Sequence, residues 1–128
     1  MDCIFCKIIK GEIPSYTLYE NEKVKVILDV NPVSSGHCLV LPKEHTQDLD
    51  SISEDTVIEV FKAAKIVKEK LIEKLNIDGC TLVQNNGYGQ EVKHYHLHMI
   101  PRVVDDQMGM THDSHGVRPA EDVFKMMQ

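Results

Sequence analysis

The chain has 128 residues and a mass of 14.6 kDa, which suits one domain and is too short for two domains of ordinary size. Its 14 basic and 20 acidic residues give a net charge of -6, and this balance argues against nucleic acids and anionic membranes as partners. No apolar run approaches the roughly 18 residues of a membrane helix, and no secretory signal is expected. We therefore expect a globular protein of the cytoplasm, whose four cysteines are reduced thiols or metal ligands.

The first elements expected along the chain are short. Ile4–Lys10 is expected to form one or two helical turns, and Tyr16–Glu20 and Val24–Leu28 to form a hairpin of two strands. After a turn-rich loop over residues 29–36, the apolar run His37–Leu41 is expected to form a buried strand.

The longest helix is predicted to begin near residue 51. Ser51 and Glu54 fit a capping box, in which the serine is the N-cap, and Ser53 is a competing cap. Apolar residues then recur at steps of three and four along one face of the helix: Val57, Val60, Phe61, Ala64, Val67, Leu71 and Leu75. The helix is expected to end over residues 76–79.

Two further strands are predicted over Cys80–Gln84 and Val92–Arg102, separated by a turn over residues 85–89 that contains two glycines. The polar tail from about residue 103 is expected to close with a short helix over Glu121–Met127. This order of elements predicts an α+β fold with a mostly antiparallel sheet of about five strands and one long helix.

Histidines alternate with apolar residues near residue 96. In a strand, alternate side chains share one face and lie about 7 Å apart, so we expect two sets on opposite faces. The outer set is His94, His96 and His98, and the set facing the core is Tyr95, Leu97 and Met99. Three imidazoles in a row either hold a metal or combine a nucleophile with groups that handle protons and charge.

Three ordered blocks of the sequence carry a resemblance to a known family. They are the segment Gln90–Arg102 around the alternating histidines, the N-terminal segment Cys3–Pro14 and the stretch Asp29–His45. Together they resemble the histidine triad (HIT) family of nucleotide-binding proteins, over about residues 1–102. The resemblance implies one HIT domain over residues 1–128, with a HIT-like fold, in a homodimer. It also implies a purine nucleotide substrate that is cleaved at the α-phosphate.

The resemblance implies roles for four histidines. His96 is expected to be the nucleophile, which forms a nucleotidyl-histidine that water then hydrolyses. His98 is expected to stabilise charge on the phosphoryl group. His37 is expected to lie against the triad, where it orients His96 or relays a proton. His94 completes the catalytic set.

Further residues are implied to bind the nucleotide. Gln90 and Asn85 are expected to contact phosphate oxygens or the leaving group, with Asn86 as the alternative to Asn85. Asp29 is expected to accept hydrogen bonds from the ribose hydroxyls. Glu91 occupies a position where the family often has a hydroxyl. An apolar wall for the purine is expected from Ile4, Phe5, Ile8, Ile27 and Val30, for each of which a plain core role is equally consistent with the sequence.

A zinc site is predicted at the N-terminus. Cys3 and Cys6 have the spacing of metal ligands, and free thiols are the alternative. The resemblance adds His45 and His94, which would complete a closed site of two cysteines and two histidines. A closed site of this kind is structural, because no coordination position remains for a substrate.

The leading hypothesis is a hydrolase of purine nucleoside phosphoramidates or related nucleotide conjugates. The alternatives are a dinucleoside polyphosphate hydrolase and a nucleotide-binding regulatory module with little catalysis. A last alternative is a metallohydrolase in which the three triad histidines hold zinc and activate water.

Overall fold

The structure is a computed structural model that describes residues 3–109 and 111–128. Every predicted element is present, with bounds shifted by one or two residues except at the last strand. In chain order the elements are α1 (Ile4–Ile9), β1 (Thr17–Glu20), β2 (Val24–Leu28), β3 (Cys38–Pro42), α2 (Glu54–Leu75), β4 (Gly79–Val83), β5 (Leu97–Arg102) and α3 (Ala120–Met126).

The five strands form one sheet in the order β1-β2-β3-β5-β4, and every neighbouring pair is antiparallel. The 22-residue helix α2 lies against one face of this sheet and is much longer than α1 and α3. The predicted α+β architecture is therefore confirmed.

The start of α2 differs from the preferred prediction. Ser53, the competing cap, is the N-cap, and its side chain accepts a hydrogen bond from the Thr56 backbone N–H. Ser51 instead accepts hydrogen bonds from the backbone N–H groups of Gln47 and Asp48. The hydroxyl of Ser51 is used in the preceding turn, so the cap lies two residues later. At the other end, Asn76 adopts the left-handed conformation, with φ of 54°.

The two faces of the sheet carry different clusters of buried residues. On the α2 side, Tyr95, Leu97 and Met99 pack with strand residues and with Val60, Ala63, Ala64, Val67 and Leu71 of the helix. On the other side, α1 covers a smaller cluster formed by Cys3, Phe5, Ile8, Ile27, Leu39 and Leu41. The predicted assignment of alternate residues to opposite faces is thus correct.

The last strand is shorter than predicted, because its regular pairing begins at Leu97 rather than at Val92. Upstream of this point, the Tyr95 backbone N–H donates to the carbonyl of Thr46. The carbonyl of Pro42, where β3 ends, bonds the His94 ring instead of a backbone N–H. Bonds to a loop carbonyl and to a side chain therefore replace the regular backbone hydrogen bonds between β3 and β5 in this segment. His94 and His96 are buried under α1 rather than exposed on the face of a strand.

A close contact holds the loop between β2 and β3 against the body of the protein. Gly36 has φ of 91°, and a Cβ added there would lie 2.7 Å from Leu75 and 3.2 Å from Pro101. Glycine meets both demands because it adopts positive φ at low cost and has no Cβ. This contact fixes the entry of His37 into the functional site.

In residues 3–109 and 111–128, none of the helices has the length and apolar character needed to cross a membrane.

Candidate active site and metal site

A cavity of about 530 Å³ opens beside α1, between the loop that follows β2 and the start of β5. Its lining contains many of the predicted site residues: Ile4, Phe5, Ile8, Ile27, Asp29, Val30, His37, Asn85, Glu91, His96 and His98. A cavity of this size accommodates a nucleotide. Other lining residues were not predicted from the sequence, namely Pro14, Ser15, Leu28, Asn31, Val33, Leu39, Gly89 and Val92. Most of these residues are apolar or glycine, and several are close in sequence to predicted residues, which was the available signal.

Two predicted polar residues differ in placement. Asn85 lies in the cavity lining, whereas the Asn86 side chain accepts from the Leu49 backbone N–H and bonds Gln84, so Asn85 is the better candidate. Gln90 is buried beside the cavity, where its side-chain N–H donates to the Gln47 carbonyl at 2.6 Å. Gln90 could contact a phosphate through this N–H only by giving up the bond to Gln47. The role of Gln90 in binding phosphate or the leaving group stays a prediction.

His96 is prepared to act through one ring nitrogen. Its Nδ1 lies 2.7 Å from the backbone carbonyl of His94, so Nδ1 carries the proton and donates it to this oxygen. In the neutral ring, Nε2 then holds a lone pair. The ring of Phe5 packs edge-on against the imidazole, with centroids 5.0 Å apart, and holds its orientation. The arrangement suits nucleophilic attack by Nε2 from the cavity wall.

A chain of hydrogen bonds fixes the tautomers of His37 and His98. The Val33 backbone N–H donates to Nδ1 of His37, so His37 carries its proton on Nε2. That N–H donates to Nδ1 of His98 at 2.9 Å, and Asp29 Oδ2 lies 3.6 Å from the same nitrogen of His37. His98 therefore carries its proton on Nε2. His98 lies between His37 and His96. His37 therefore contacts His98 and does not orient His96 directly.

Burial lowers the pKa of His98 to about 4, and the neighbouring His96 and His37 add to this effect. Burial also lowers the pKa of His37 from its ordinary value of 6.5. Both rings are therefore neutral at neutral pH, as the hydrogen-bond chain requires.

We expect an NMR titration of the His98 ring to show a midpoint near 4. Because the unfolded chain gains these protons near pH 6.5 and the folded chain resists them, the free energy of unfolding should fall as pH drops from 6.5 toward 4. A His98 midpoint near 6.5, or a free energy of unfolding that is constant over this range, contradicts the prediction.

A second cluster lies at the start of α1. The donor atoms of Cys3, Cys6, His45 and His94 all lie within 4.8 Å of one another. His94 Nδ1 is 3.4 Å from Cys3 Sγ and 3.6 Å from Cys6 Sγ, and His45 Nδ1 is 3.2 Å from Cys6 Sγ. A tetrahedral zinc ion with bonds of about 2.0–2.3 Å separates its ligand atoms by roughly 3.3–3.8 Å. The four residues predicted as ligands therefore fit a zinc ion.

The orientation of His94 supports a metal at this cluster. His94 donates from Nε2 to the Pro42 carbonyl at 2.8 Å, which leaves the lone pair of Nδ1 directed toward the thiols. Burial and the adjacent Cys3 raise the pKa of the Cys6 thiol, so Cys6 would have to lose its proton when it binds a metal ion.

The triad does not form a metal site by itself. His94 Nδ1 faces the cysteines, and His96 Nδ1 donates to a carbonyl, so the three rings do not converge on one point. Asp29, His37 and His98 do lie close enough to one another for a metal. To bind a metal through Nε2, the His37 ring would have to carry its proton on Nδ1. Nδ1 instead accepts a hydrogen bond from the Val33 backbone N–H, so it carries no proton. The geometry of the described residues thus argues against the metallohydrolase hypothesis.

Comparison with known proteins connects this geometry to a family. The family model described as the HIT domain matches residues 10–104. An uncharacterised HIT-like protein of Methanocaldococcus jannaschii is 47% identical over 106 residues, which cover 81% of each chain. An adenosine 5'-monophosphoramidase of Saccharomyces cerevisiae is 39% identical over 84% of this chain and 66% of its own length. An adenylylsulfatase of Arabidopsis thaliana is 39% identical over 79% of this chain and 52% of its own length.

Solved structures agree with these relatives. A HIT family protein of Bacillus anthracis superposes with a TM-score of 0.85 at 36% identity, covering 98% of this chain and 92% of that protein. A zinc-bound histidine triad protein of Mycobacterium smegmatis superposes with a TM-score of 0.81 at 36% identity, covering 89% of this chain and 84% of that protein. The fold, the alternating histidines and the matched family model agree, and the chain belongs to the HIT family.

Proposed function

We propose that this chain is a hydrolase of purine nucleoside phosphoramidates or related nucleotide conjugates, acting at the α-phosphate. The single observation that carries the proposal is the state of His96, whose Nδ1 proton is held by the His94 carbonyl while Nε2 is left with a lone pair beside the cavity. A site that merely binds nucleotides has no need of such a nucleophile. The relatives named as a phosphoramidase and an adenylylsulfatase support this reaction class.

The reaction follows from the two fixed tautomers. The His96 Nε2 lone pair attacks the α-phosphorus, and the bond to the leaving nitrogen breaks. That nitrogen keeps the electron pair and leaves as an amine after taking a proton from solvent water, and the water that attacks in the next step returns this proton to solvent. Among the described residues the Nε2–H group of His98 has no hydrogen-bond acceptor, so it can donate to a phosphoryl oxygen and stabilise the charge that develops there. Water then attacks the nucleotidyl-histidine, which releases the nucleotide and restores His96.

The rest of the cavity is suited to a nucleoside. Ile8 and Ile27 provide buried apolar surface for the base, and Ile4 and Val30 are exposed at its edge. Asp29 is partly exposed in the lining, where its carboxylate can accept hydrogen bonds from two ribose hydroxyls. These placements support the predicted roles, with the purine between α1 and β2.

The test is a comparison of two substrates. We expect adenosine 5'-phosphoramidate to be cleaved with a kcat/KM at least about tenfold above that of a diadenosine polyphosphate, because a single nucleotide fills the 530 Å³ cavity. The opposite ratio supports the dinucleoside polyphosphate hydrolase. Nucleotide binding without cleavage of either substrate supports the regulatory module.

We further propose that Cys3, Cys6, His45 and His94 hold a structural zinc ion. When bound, the ion would supply four bonds that join α1 to the segment that precedes β5. None of these four residues is among those that line the nucleotide cavity, so we assign the metal no chemical step.

We infer that the chain forms a homodimer. β4 is an edge strand, and Leu82 on it is 44% exposed. The exposed side of α2 carries further apolar residues, since Phe61 and Leu75, which were predicted to face the core, are instead 40% and 49% exposed. An open sheet edge and exposed apolar groups on α2 are both features that suit pairing with a second copy. Light scattering that gives 14.6 kDa, the mass of one chain, would contradict this inference.

We retain two broader proposals from the sequence. The whole chain acts as a single HIT domain, with a core to about residue 102 and a tail from 103 to 128. Its site of action is the cytoplasm, where thiols stay reduced and available as metal ligands.

A further inference from the structure

The loop between β2 and β3, residues 29–37, lies at the surface and is held there by few contacts. Its two ends meet where the Asp29 backbone N–H donates to the His37 carbonyl at 2.9 Å. In its middle, Val30 and Val33 are 77% and 59% exposed, so little apolar burial fixes this part of the loop. The position of the loop therefore depends on the polar bonds that its residues form.

One of these bonds joins the loop to β5. The Ser34 hydroxyl donates to the Pro101 carbonyl at 2.8 Å. Within residues 3–109 and 111–128, it is the one hydrogen bond between residues 30–36 and any residue outside the loop. Ser34 thus supplies the polar tie between this loop and the sheet.

The sheet leaves the Pro101 carbonyl open to such a bond. Regular pairing of β5 with β3 ends at Met99. The Arg102 carbonyl faces the β4 side, where it accepts from the backbone N–H of Asp78. Because successive carbonyls of a strand point to opposite sides, the Pro101 carbonyl faces the β3 side, beyond the last β3 pair. Pro101 is buried, and a buried carbonyl without a partner is costly, so the Ser34 hydroxyl has a defined place.

The bond to Pro101 also holds the residues beside Ser34 against His37. The Val33 backbone N–H donates to Nδ1 of His37 at 3.1 Å, and the Ser34 carbonyl accepts from the His37 backbone N–H at 3.1 Å. Val33, Ser34 and His37 therefore belong to one compact turn. A displacement of this turn would lengthen the bond from Val33 to the His37 ring.

That bond decides between two states of a histidine pair. With the Val33 N–H in place, His37 donates from Nε2 to Nδ1 of His98, whose own proton is on Nε2. In the opposite state each ring carries its proton on Nδ1, and His98 donates to His37. Nε2 of His98 would then present a lone pair to a phosphoryl oxygen in place of a donor. Asp29 Oδ2 also favours the first state, but its 3.6 Å distance from His37 Nε2 is too long for a hydrogen bond.

We propose that Ser34 is a positioning residue for the reaction. Through its bond to Pro101 it holds the Val33 N–H on the His37 ring, and so keeps the Nε2–H group of His98 available to the phosphoryl group. This inference rests on the proposed function and adds to it a residue that is not among those that line the nucleotide cavity.

The experiment compares Ser34→Ala and Ser34→Thr with the unsubstituted chain. Ser34→Ala should lower kcat for adenosine 5'-phosphoramidate by about tenfold, while KM changes by less than about twofold. The effect falls on kcat because the His98 donor acts on charge that develops in the transition state. Ser34→Thr keeps the hydroxyl and should retain at least about half of kcat.

Ser35→Ala is the matched control. Ser35 is the exposed neighbour of Ser34 in the same loop, and in the described part of the chain its hydroxyl forms no hydrogen bond. This variant should keep the kcat of the unsubstituted chain. An equal loss of kcat in Ser34→Ala and Ser35→Ala would overturn the role of Ser34.

NMR reads the tautomers directly and needs no substrate. Long-range ¹H–¹⁵N correlation spectra at neutral pH identify which ring nitrogen of His37 and of His98 carries the proton. We expect Nε2–H on both rings in the unsubstituted chain, Ser34→Thr and Ser35→Ala, and a new population with Nδ1–H in Ser34→Ala.

An unchanged kcat in Ser34→Ala, or a lower kcat with unchanged tautomers, overturns the positioning role and leaves the proposed function in place. Failure of the unsubstituted chain to cleave the phosphoramidate overturns the proposed function. The spectra then still decide whether Ser34 sets the tautomers of His37 and His98.

Discussion

Replacing His96 with asparagine should reduce kcat for adenosine 5'-phosphoramidate by at least about 10,000-fold, while the Kd for adenosine monophosphate changes by less than about threefold. The asparagine amide can still donate a hydrogen bond to the His94 carbonyl, which His96 bonds at 2.7 Å, so the local backbone is retained. It has no basic nitrogen with which to attack phosphorus. Steady-state kinetics and calorimetric titration with the nucleotide measure the two effects separately.

A direct probe of the intermediate accompanies this experiment. Quenching in alkaline denaturant during turnover, followed by peptide mass spectrometry at alkaline pH, should find a nucleotidyl adduct on His96 in the unsubstituted chain and none in His96→Asn, because the phosphorus–nitrogen bond survives in alkali and breaks in acid. His115→Asn is the control and should still form the adduct on His96, because His115 is an exposed residue of the tail and is not among the residues that line the nucleotide cavity. Near-normal turnover by His96→Asn would end the covalent mechanism, whatever the binding result.

Loss of the metal cluster should have the largest effect on stability. We expect purified protein to contain about one zinc ion per chain, and Cys6→Ser to lose it with a fall in Tm of about 10 °C or more. A fall of this size corresponds to roughly 3 kcal/mol in the free energy of unfolding. The effect is large because α1 has only six residues and is too short to be stable unless the metal anchors it. Elemental analysis and calorimetry provide the two measurements.

The control for this prediction is a cysteine outside the cluster. Cys80→Ala should retain zinc, because Cys80 is on β4 and packs at the margin of the core on the α2 side of the sheet. It should lower Tm less than Cys6→Ser does. A metal-free preparation with unchanged Tm and full activity would exclude the zinc site and leave the four residues as thiols and imidazoles.

Zinc loss should also weaken nucleotide binding. Ile4, Phe5 and Ile8 line the nucleotide cavity and lie on the same short helix as Cys6, with Cys3 as its N-cap. Freeing this helix would therefore disturb the cavity wall as well as the contact of Phe5 with His96.

Local patterns in the sequence determined much of the fold. The period of two in His94–Met99 placed the histidines and the core residues on opposite faces, because side-chain direction in an extended chain depends on the backbone alone. The period of α2 located its buried face correctly at Val60, Ala64, Val67 and Leu71, for the same geometric reason. The spacing of Cys3 and Cys6 by itself indicated a metal site, because two thiols three residues apart can reach one ion.

Other features depend on contacts between residues far apart in the chain, and the tertiary structure alone decided them. The regular part of β5 begins at Leu97 because Pro42 and Thr46 offer their carbonyls to His94 and Tyr95. The N–H of Val33 sets the tautomer of His37 and, through it, that of His98.

The exposure of Phe61 and Leu75 could not be predicted from the spacing of apolar residues in α2. That spacing defines a face of the helix and does not show how much of the face the sheet covers. The nucleotide cavity likewise arises where α1, the loop that follows β2 and the start of β5 meet. Side-chain direction is a local property of the backbone, whereas proton positions, burial and cavities depend on which distant groups the folded chain brings together.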